Sequence, residues 1–151
     1  MHDHLSKSAG NRILKISIGL AYLGLLIYLL FLAPFRNKTA TIVNLIPFGS
    51  IVELTRYTFI TGNDYWHWFL NVPGNILAFV PLPYVFQVFR QTKFNFWRAF
   101  FPSAAIPLII EIAQYYFQTG SCDIDDWMLN FSGMMIGFVL VRKSQKQSRT
   151  Y

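Results

Sequence analysis

Residues 13–33 read ILKISIGLAYLGLLIYLLFLA. Lys15 is the one charge in the run, and it lies near the start. A helix crosses a hydrocarbon core of roughly 30 Å with about 20 residues, so the run is long enough to span a bilayer. No small-x-small cleavage site clearly follows it. An uncleaved first membrane helix is therefore expected rather than a secretory signal. Composition agrees with lipid as the solvent. Hydrophobic residues make up 54% of the 151-residue chain and charged residues 13%, against about 25% charged in a soluble domain. A surface that faces lipid does not have to be wetted, and that accounts for the deficit.

Three further apolar runs follow: Leu70 to Phe89, Ala99 to Phe117, and Trp127 to Val141. The last is short unless it begins near Ile124. Pro73, Pro81 and Pro83 interrupt the second. A membrane helix can kink there and have its freed carbonyls satisfied by neighbours. The net charge of +6 does not point to nucleic acid, because the basic residues cap the apolar runs instead of sharing one polar face. Lys7, Arg12, Lys15, Arg90, Lys93, Arg98, Arg142, Lys143, Lys146 and Arg149 lie on one side of the spans, against Arg36, Lys38 and Arg56 on the other. By the positive-inside bias both termini are cytoplasmic, in the cell membrane.

The first outer loop, about Pro34 to His67, is too long for plain coil. Pro47 suits a first helical turn, and Ile51, Leu54, Tyr57 and Thr58 recur at helical spacing. A short interfacial or partly re-entrant helix is expected there. Tyr65, Trp66 and Trp68 read as an aromatic belt at the entrance to span two. The expected fold is all-α: a polytopic membrane protein with four transmembrane helices plus a short interfacial helix in the first outer loop. Residues 1–12 and 142–151 are read as cytoplasmic tails and 13–141 as the transmembrane domain. The single cysteine, Cys122, excludes an intrachain disulfide.

Polar groups inside apolar runs are costly, so they are functional candidates. Glu111 and Gln114, at i and i+3, with Gln118 at i+7, share one stripe of span three. Asp126, Asn130, Gly133 and Gly137 share one stripe of span four, where the glycines allow another helix close approach. Asn71 and Asn75 pair at i and i+4 in span two. The topology puts all three stripes on the outer side. The expected result is an outward-facing acidic pocket, with Glu111 two to three turns deeper than Asp123, Asp125 and Asp126. Plainer readings stand beside this one. Asn71 and Asn75 can satisfy carbonyls freed by the prolines. Asp123 or Asp125 can be the N-cap of span four. Gln114 can be an interhelical hydrogen bond, and His67 reads as interfacial.

Four elements occur in order: Asn44-Leu45-Ile46-Pro47-Phe48; Gly74-Asn75-Ile76-Leu77-Ala78-Phe79-Val80-Pro81-Leu82; Glu111-Ile112-Ala113-Gln114; and Asp123-Ile124-Asp125-Asp126 with Asn130 and Gly133. Together they resemble the VanZ-like family over about residues 40 to 140. Pro83 departs from the pattern, close to where many members have Gly. The resemblance places the family's shared polar residues on Asn44, Asn75, Glu111, Gln114, Asp123, Asp126 and Asn130 as ligand-binding candidates. The family's namesake is associated with low-level teicoplanin resistance.

The expected function is non-enzymatic binding of an amphiphilic envelope ligand, a lipoglycopeptide or a lipid-linked precursor, among membrane lipids. One alternative is a metal-dependent enzyme acting on a lipid-linked phosphate or sugar, with Glu111, Asp123 and Asp126 holding Mg²⁺ or Ca²⁺. The chain has no nucleophile with an obvious base and no histidine pair, which speaks against catalysis. Another alternative is an assembly role, as an oligomer through the Gly133 and Gly137 face.

Overall fold

The computed structural model describes residues 2–33, 43–90 and 95–147. Arg36, Lys38, Lys93 and Arg149, used above for orientation, lie outside them. Four helical stretches are long and apolar enough to cross a membrane: Gly10–Leu32, Tyr65–Phe89, Phe96–Tyr116 and Ile124–Gln147. The chain is a multi-pass helical membrane protein, as its hydropathy requires. Its outward side chains agree. Ile18, Leu25, Leu77, Phe101, Ile109, Ile112 and Leu140 are all more than half exposed, which is tolerable only against acyl chains.

The first helix, α1, runs over His2–Ile27, so the helix extends back through the polar N-terminal segment. It continues into a wider π turn, Tyr28–Leu32. Such a turn disturbs the regular carbonyl ladder, and the Leu30 carbonyl here accepts a side-chain partner from another helix.

The first loop contains a two-residue strand, β1 (Val43–Asn44), and a helix, α2 (Gly49–Thr61). Pro47 precedes this helix instead of starting it. Phe48 takes a left-handed φ of 64° at its entry, and Gly62, at φ 69°, closes its end. The inward stripe is Ile51, Leu54, Thr55 and Thr58. Tyr57, expected on that stripe, faces out at 53% exposure.

The second span is three short helices: α3 (Tyr65–Asn71), α4 (Pro73–Phe79) and α5 (Leu82–Arg90). The breaks fall at Val72 and at Val80–Pro81, because proline lacks an N–H and its ring crowds the preceding turn. Pro73 itself opens α4, where a missing donor costs nothing.

The third span, α6 (Phe96–Tyr116), keeps Pro102 and Pro107 inside it. It is capped by Asn95, whose side chain accepts the Trp97 N–H at 3.2 Å. It ends at Tyr116, and Gln118 follows in a left-handed turn with φ 55°. Gln118 is therefore exposed and not on the Glu111–Gln114 stripe.

A second two-residue strand, β2 (Cys122–Asp123), pairs in parallel with β1, Val43 with Cys122 and Asn44 with Asp123. This is the one departure from an all-α chain among the described residues. The fourth helix, α7 (Ile124–Gln147), is longer than the apolar run suggested. Hydropathy stops at Asp126 and Arg142, but the backbone helix continues through both polar ends.

The core is narrow: Leu26 and Leu30 of the first span, Phe79 and Leu82 of the second, and Met134 of α7. Its tightest seam joins α7 to α4 and α5. A Cβ on Gly133 would lie 2.2 Å from the Ile76 carbonyl oxygen, and one on Gly137 would lie 2.0 Å from that of Val80. Only hydrogen fits there, so the glycine stripe does face the bundle interior. That face is occupied within the chain, which removes it as the oligomer contact considered above. The Tyr22 hydroxyl donates to the Ala78 carbonyl at 2.6 Å and ties α1 to α4.

Candidate functional site: carboxylates and amides at the β1–β2 end

Burial divides the acidic residues. Glu111 and Asp125 are 1% exposed and Asp123 is 8% exposed, while Asp126 is half-buried. A buried carboxylate needs hydrogen-bond donors to offset lost hydration. The fold supplies them from three directions.

Asp123 sits just before α7. Its Oδ1 accepts the Asp125 N–H at 2.9 Å, which caps the helix. The Asn44 amide nitrogen donates to both of its carboxylate oxygens, at 3.2 and 3.3 Å. The Asn44 amide oxygen in turn accepts the Ile46 N–H at 3.1 Å. Asn44 therefore fixes the turn into α2 and clamps it to the strand pair.

Asp125 reaches across to α2, although the two lie 75 residues apart. One oxygen accepts the Phe48 N–H. The other accepts the Ser50 hydroxyl at 2.8 Å and the Ile51 N–H at 3.1 Å. No residue of α2 caps its own N-terminus, so Asp125 does so from another helix. Its negative charge also suits that helix end. The left-handed Phe48 turns its N–H toward this carboxylate.

Glu111 accepts the Asp123 N–H through Oε2 at 3.2 Å. It is thus level with Asp123, not two to three turns deeper. The reason is the return after α6, which brings β2 back alongside the last turns of that helix and so sets the Asp123 N–H against Glu111. The same return sets Trp127 Nε1 2.9 Å from the Ala104 carbonyl. Cys122 lies beside this group. Burial first, then the Glu111 and Asp123 charges, push its thiol up.

Gln114 does not join the cluster. Its amide nitrogen donates to the Leu30 carbonyl at 2.8 Å, an interhelical bond to the π turn of the first span. Its Oε1 is buried without a hydrogen-bond partner among the described residues, as are Thr58 Oγ1 and Asn130 Oδ1.

Asp126 is separate again. Its Oδ1 accepts the Asn75 amide at 2.8 Å. The same Asn75 nitrogen donates to the Asn71 carbonyl at 2.9 Å, and the Asn71 amide donates to the His67 carbonyl at 2.8 Å. The carbonyls that the two asparagines serve, His67 and Asn71, are not the Phe69, Leu77 and Phe79 carbonyls that Pro73, Pro81 and Pro83 leave without a donor, and Asn75 in addition holds Asp126. Asn130, 1% exposed, lies one turn further along α7 on the same stripe, between Asp126 and Gly133.

Hydrogen bonds join Asn44, Glu111, Asp123 and Asp125 and anchor β1, α2 and α7. Another joins Asn75 to Asp126 on the α4–α7 seam, with Asn130 one turn further along α7. Among the described residues no three His, Cys, Asp or Glu side chains converge as metal ligands. Of the three residues considered for a cation, Glu111 accepts from the backbone of Asp123 and Asp126 accepts from Asn75. Asp125 and Ser50 were absent from the expected ligand set. The acid-rich Asp123-Ile124-Asp125-Asp126 run was the available signal, but it did not indicate which helix each carboxylate serves.

Fold and site together define a four-span membrane protein with a polar, carboxylate-rich end. A family model described as VanZ/LLP1 matches residues 19–145, and the chain belongs to that family. No curated protein and no solved structure matches it.

Proposed function

We propose that this protein binds the head group of an amphiphilic envelope component at the β1–β2 end of the bundle. In this reading that end faces outward and both termini are cytoplasmic. The ligand is a lipoglycopeptide or a lipid-linked precursor, and teicoplanin-type resistance would follow from holding such a molecule at the outer leaflet. The observation that carries the reading is the division of the carboxylates. Glu111, Asp123 and Asp125 are buried and engaged by the fold. Asp126 and Asn75 are half-buried beside lipid-facing helices. A polar group kept at such a depth is costly unless it is used.

Native mass spectrometry of protein extracted gently from membranes tests this. Retained lipid, or added teicoplanin, is expected on the wild type and weakened in Asp126→Asn. A ligand-free spectrum at high lipid supply contradicts it. A C-terminal reporter active only outside the cytoplasm overturns the orientation.

A further inference from the structure

The α2 helix is fastened to two different spans. At its first turn, Asp125 of α7 accepts from Phe48, Ser50 and Ile51. From its middle onward it leans on α3. Thr55 Oγ1 accepts the Trp68 Nε1–H at 2.9 Å, and the Phe59 and Trp68 rings meet edge to face at 5.5 Å. The chain of α3 runs on into α4, whose Asn75 is bonded to Asp126, the residue after Asp125. A helix anchored on Asp125 and on Trp68 therefore lies across the β1–β2 end of the α4–α7 seam. Thr58, on its inward stripe, is wholly buried.

Three features make this strap releasable. Phe48 holds a left-handed φ of 64°, a costly conformation for a bulky residue that persists only while its surroundings fix it. Asp125 fixes it by accepting its N–H, so release of the carboxylate lets the backbone relax. Thr58 Oγ1 has no hydrogen-bond partner among the described residues. The closed position thus leaves a polar atom unsatisfied that water would serve in an open one. At the far end, the exposed turn Gly62-Asn63-Asp64 is left-handed at Gly62 and Asp64. Nothing lies within 4 Å of where a Gly62 Cβ would be, and a few such element-terminal residues can absorb the rotation of a hinge.

Given the amphiphile-binding reading, we propose that α2 is a strap over the α4–α7 seam, latched by Asp125, and that an amphiphile reaches Asn75 and Asp126 only when the latch opens. Only the open fraction admits ligand, so entry scales with that fraction.

Two rates measured on the full chain in detergent test this. The first needs no ligand: Thr58→Cys, in a Cys122→Ser chain, reports opening by its rate of maleimide labelling. The second is the rate of uptake of teicoplanin and of isotope-labelled total membrane lipid, read by native mass spectrometry. Asp125→Asn weakens the latch and leaves Asn75 and Asp126 in place. It is expected to speed both rates by the same factor, at least about thirtyfold. Ser50→Ala removes one latch bond and is expected to speed both by about tenfold. It serves as the milder variant if Asp125→Asn does not fold.

Labelling at position 58 that is equally fast with and without the latch substitutions overturns the strap. Faster labelling with unchanged or slower uptake overturns the gate and leaves amphiphile binding standing. Uptake of neither teicoplanin nor lipid by any of the proteins overturns the amphiphile reading, and the gate with it.

Discussion

Asp125→Asn tests whether one side chain holds α2 in place. The carboxylate accepts from the Phe48 N–H, the Ser50 hydroxyl and the Ile51 N–H. An asparagine at the same position offers one acceptor oxygen and turns an N–H₂ group toward N–H donors. Loss of a helix N-cap costs typically ~1 kcal/mol, and a hydrogen bond to a charged acceptor contributes about 1.5–3 kcal/mol. Water reaches the half-exposed start of α2 and replaces part of what is lost. The net local cost is about 2–3 kcal/mol. The spans do not depend on α2 for their own hydrogen bonds, so α2 should open by itself as a subglobal unit. Hydrogen–deuterium exchange in detergent or nanodiscs reads this. Amides of 48–61 should exchange about thirty- to a hundred-and-fortyfold faster than in wild type, while those of α6 and the middle of α7 remain protected. Unchanged protection over 48–61 would refute the assignment of Asp125. Equal loss of protection in the spans would show that the residue supports the whole bundle.

Three further outcomes follow from the same geometry. Gly133→Ala and Gly137→Ala place a methyl group against the Ile76 and Val80 carbonyl oxygens; each should lower thermal stability by about 1–3 kcal/mol, as overpacking does, and a wild-type melting temperature for either would mean that α7 does not meet α4 and α5 there. Cys122 is pushed up by burial and by the Glu111 and Asp123 charges, and maleimide reacts with the thiolate. Labelling should therefore need a higher pH than an ordinary thiol, and Glu111→Gln, by removing one negative charge, should move the pH–rate curve downward; an unmoved curve counts against their proximity. Millimolar Mg²⁺ or Ca²⁺ should leave the melting temperature unchanged, since Glu111 and Asp126 serve different partners; stabilisation that disappears in Glu111→Gln would restore a shared cation site.

Much of the architecture is legible because it follows from solvent. An apolar run such as 13–33 has only one stable place, and the prolines of the second span break it as their missing donors require. The Asp126–Asn130–Gly133–Gly137 stripe is equally legible, because helical spacing alone puts it on one face and the glycines show which face meets backbone. Long-range pairings are less so. The side chain that caps α2 comes from α7, so no local pattern near Gly49 reveals it. Where Glu111 lies relative to Asp123 depends on the path of the return after α6, which pairs Cys122–Asp123 with β1 and so is set by residues far away in the chain. The π turn that exposes the Leu30 carbonyl to Gln114 leaves no trace in the apolar run Tyr28-Leu29-Leu30-Phe31-Leu32.

In the proposed reading Glu111, Asp123 and Asp125 hold the fold together while Asp126 meets the ligand. An experimental density map of the protein in native lipid, at a resolution that shows ordered head groups and waters, tests this most directly. Non-protein density is predicted within hydrogen-bond distance of Asp126 and Asn130 Oδ1. The Glu111, Asp123 and Asp125 carboxylates should be enclosed by Asn44, Ser50 and the backbone of residues 48, 51, 123 and 125. Density that bridges Glu111, Asp123 and Asp126 as one centre, or a dry and filled seam at Asn130, would contradict it.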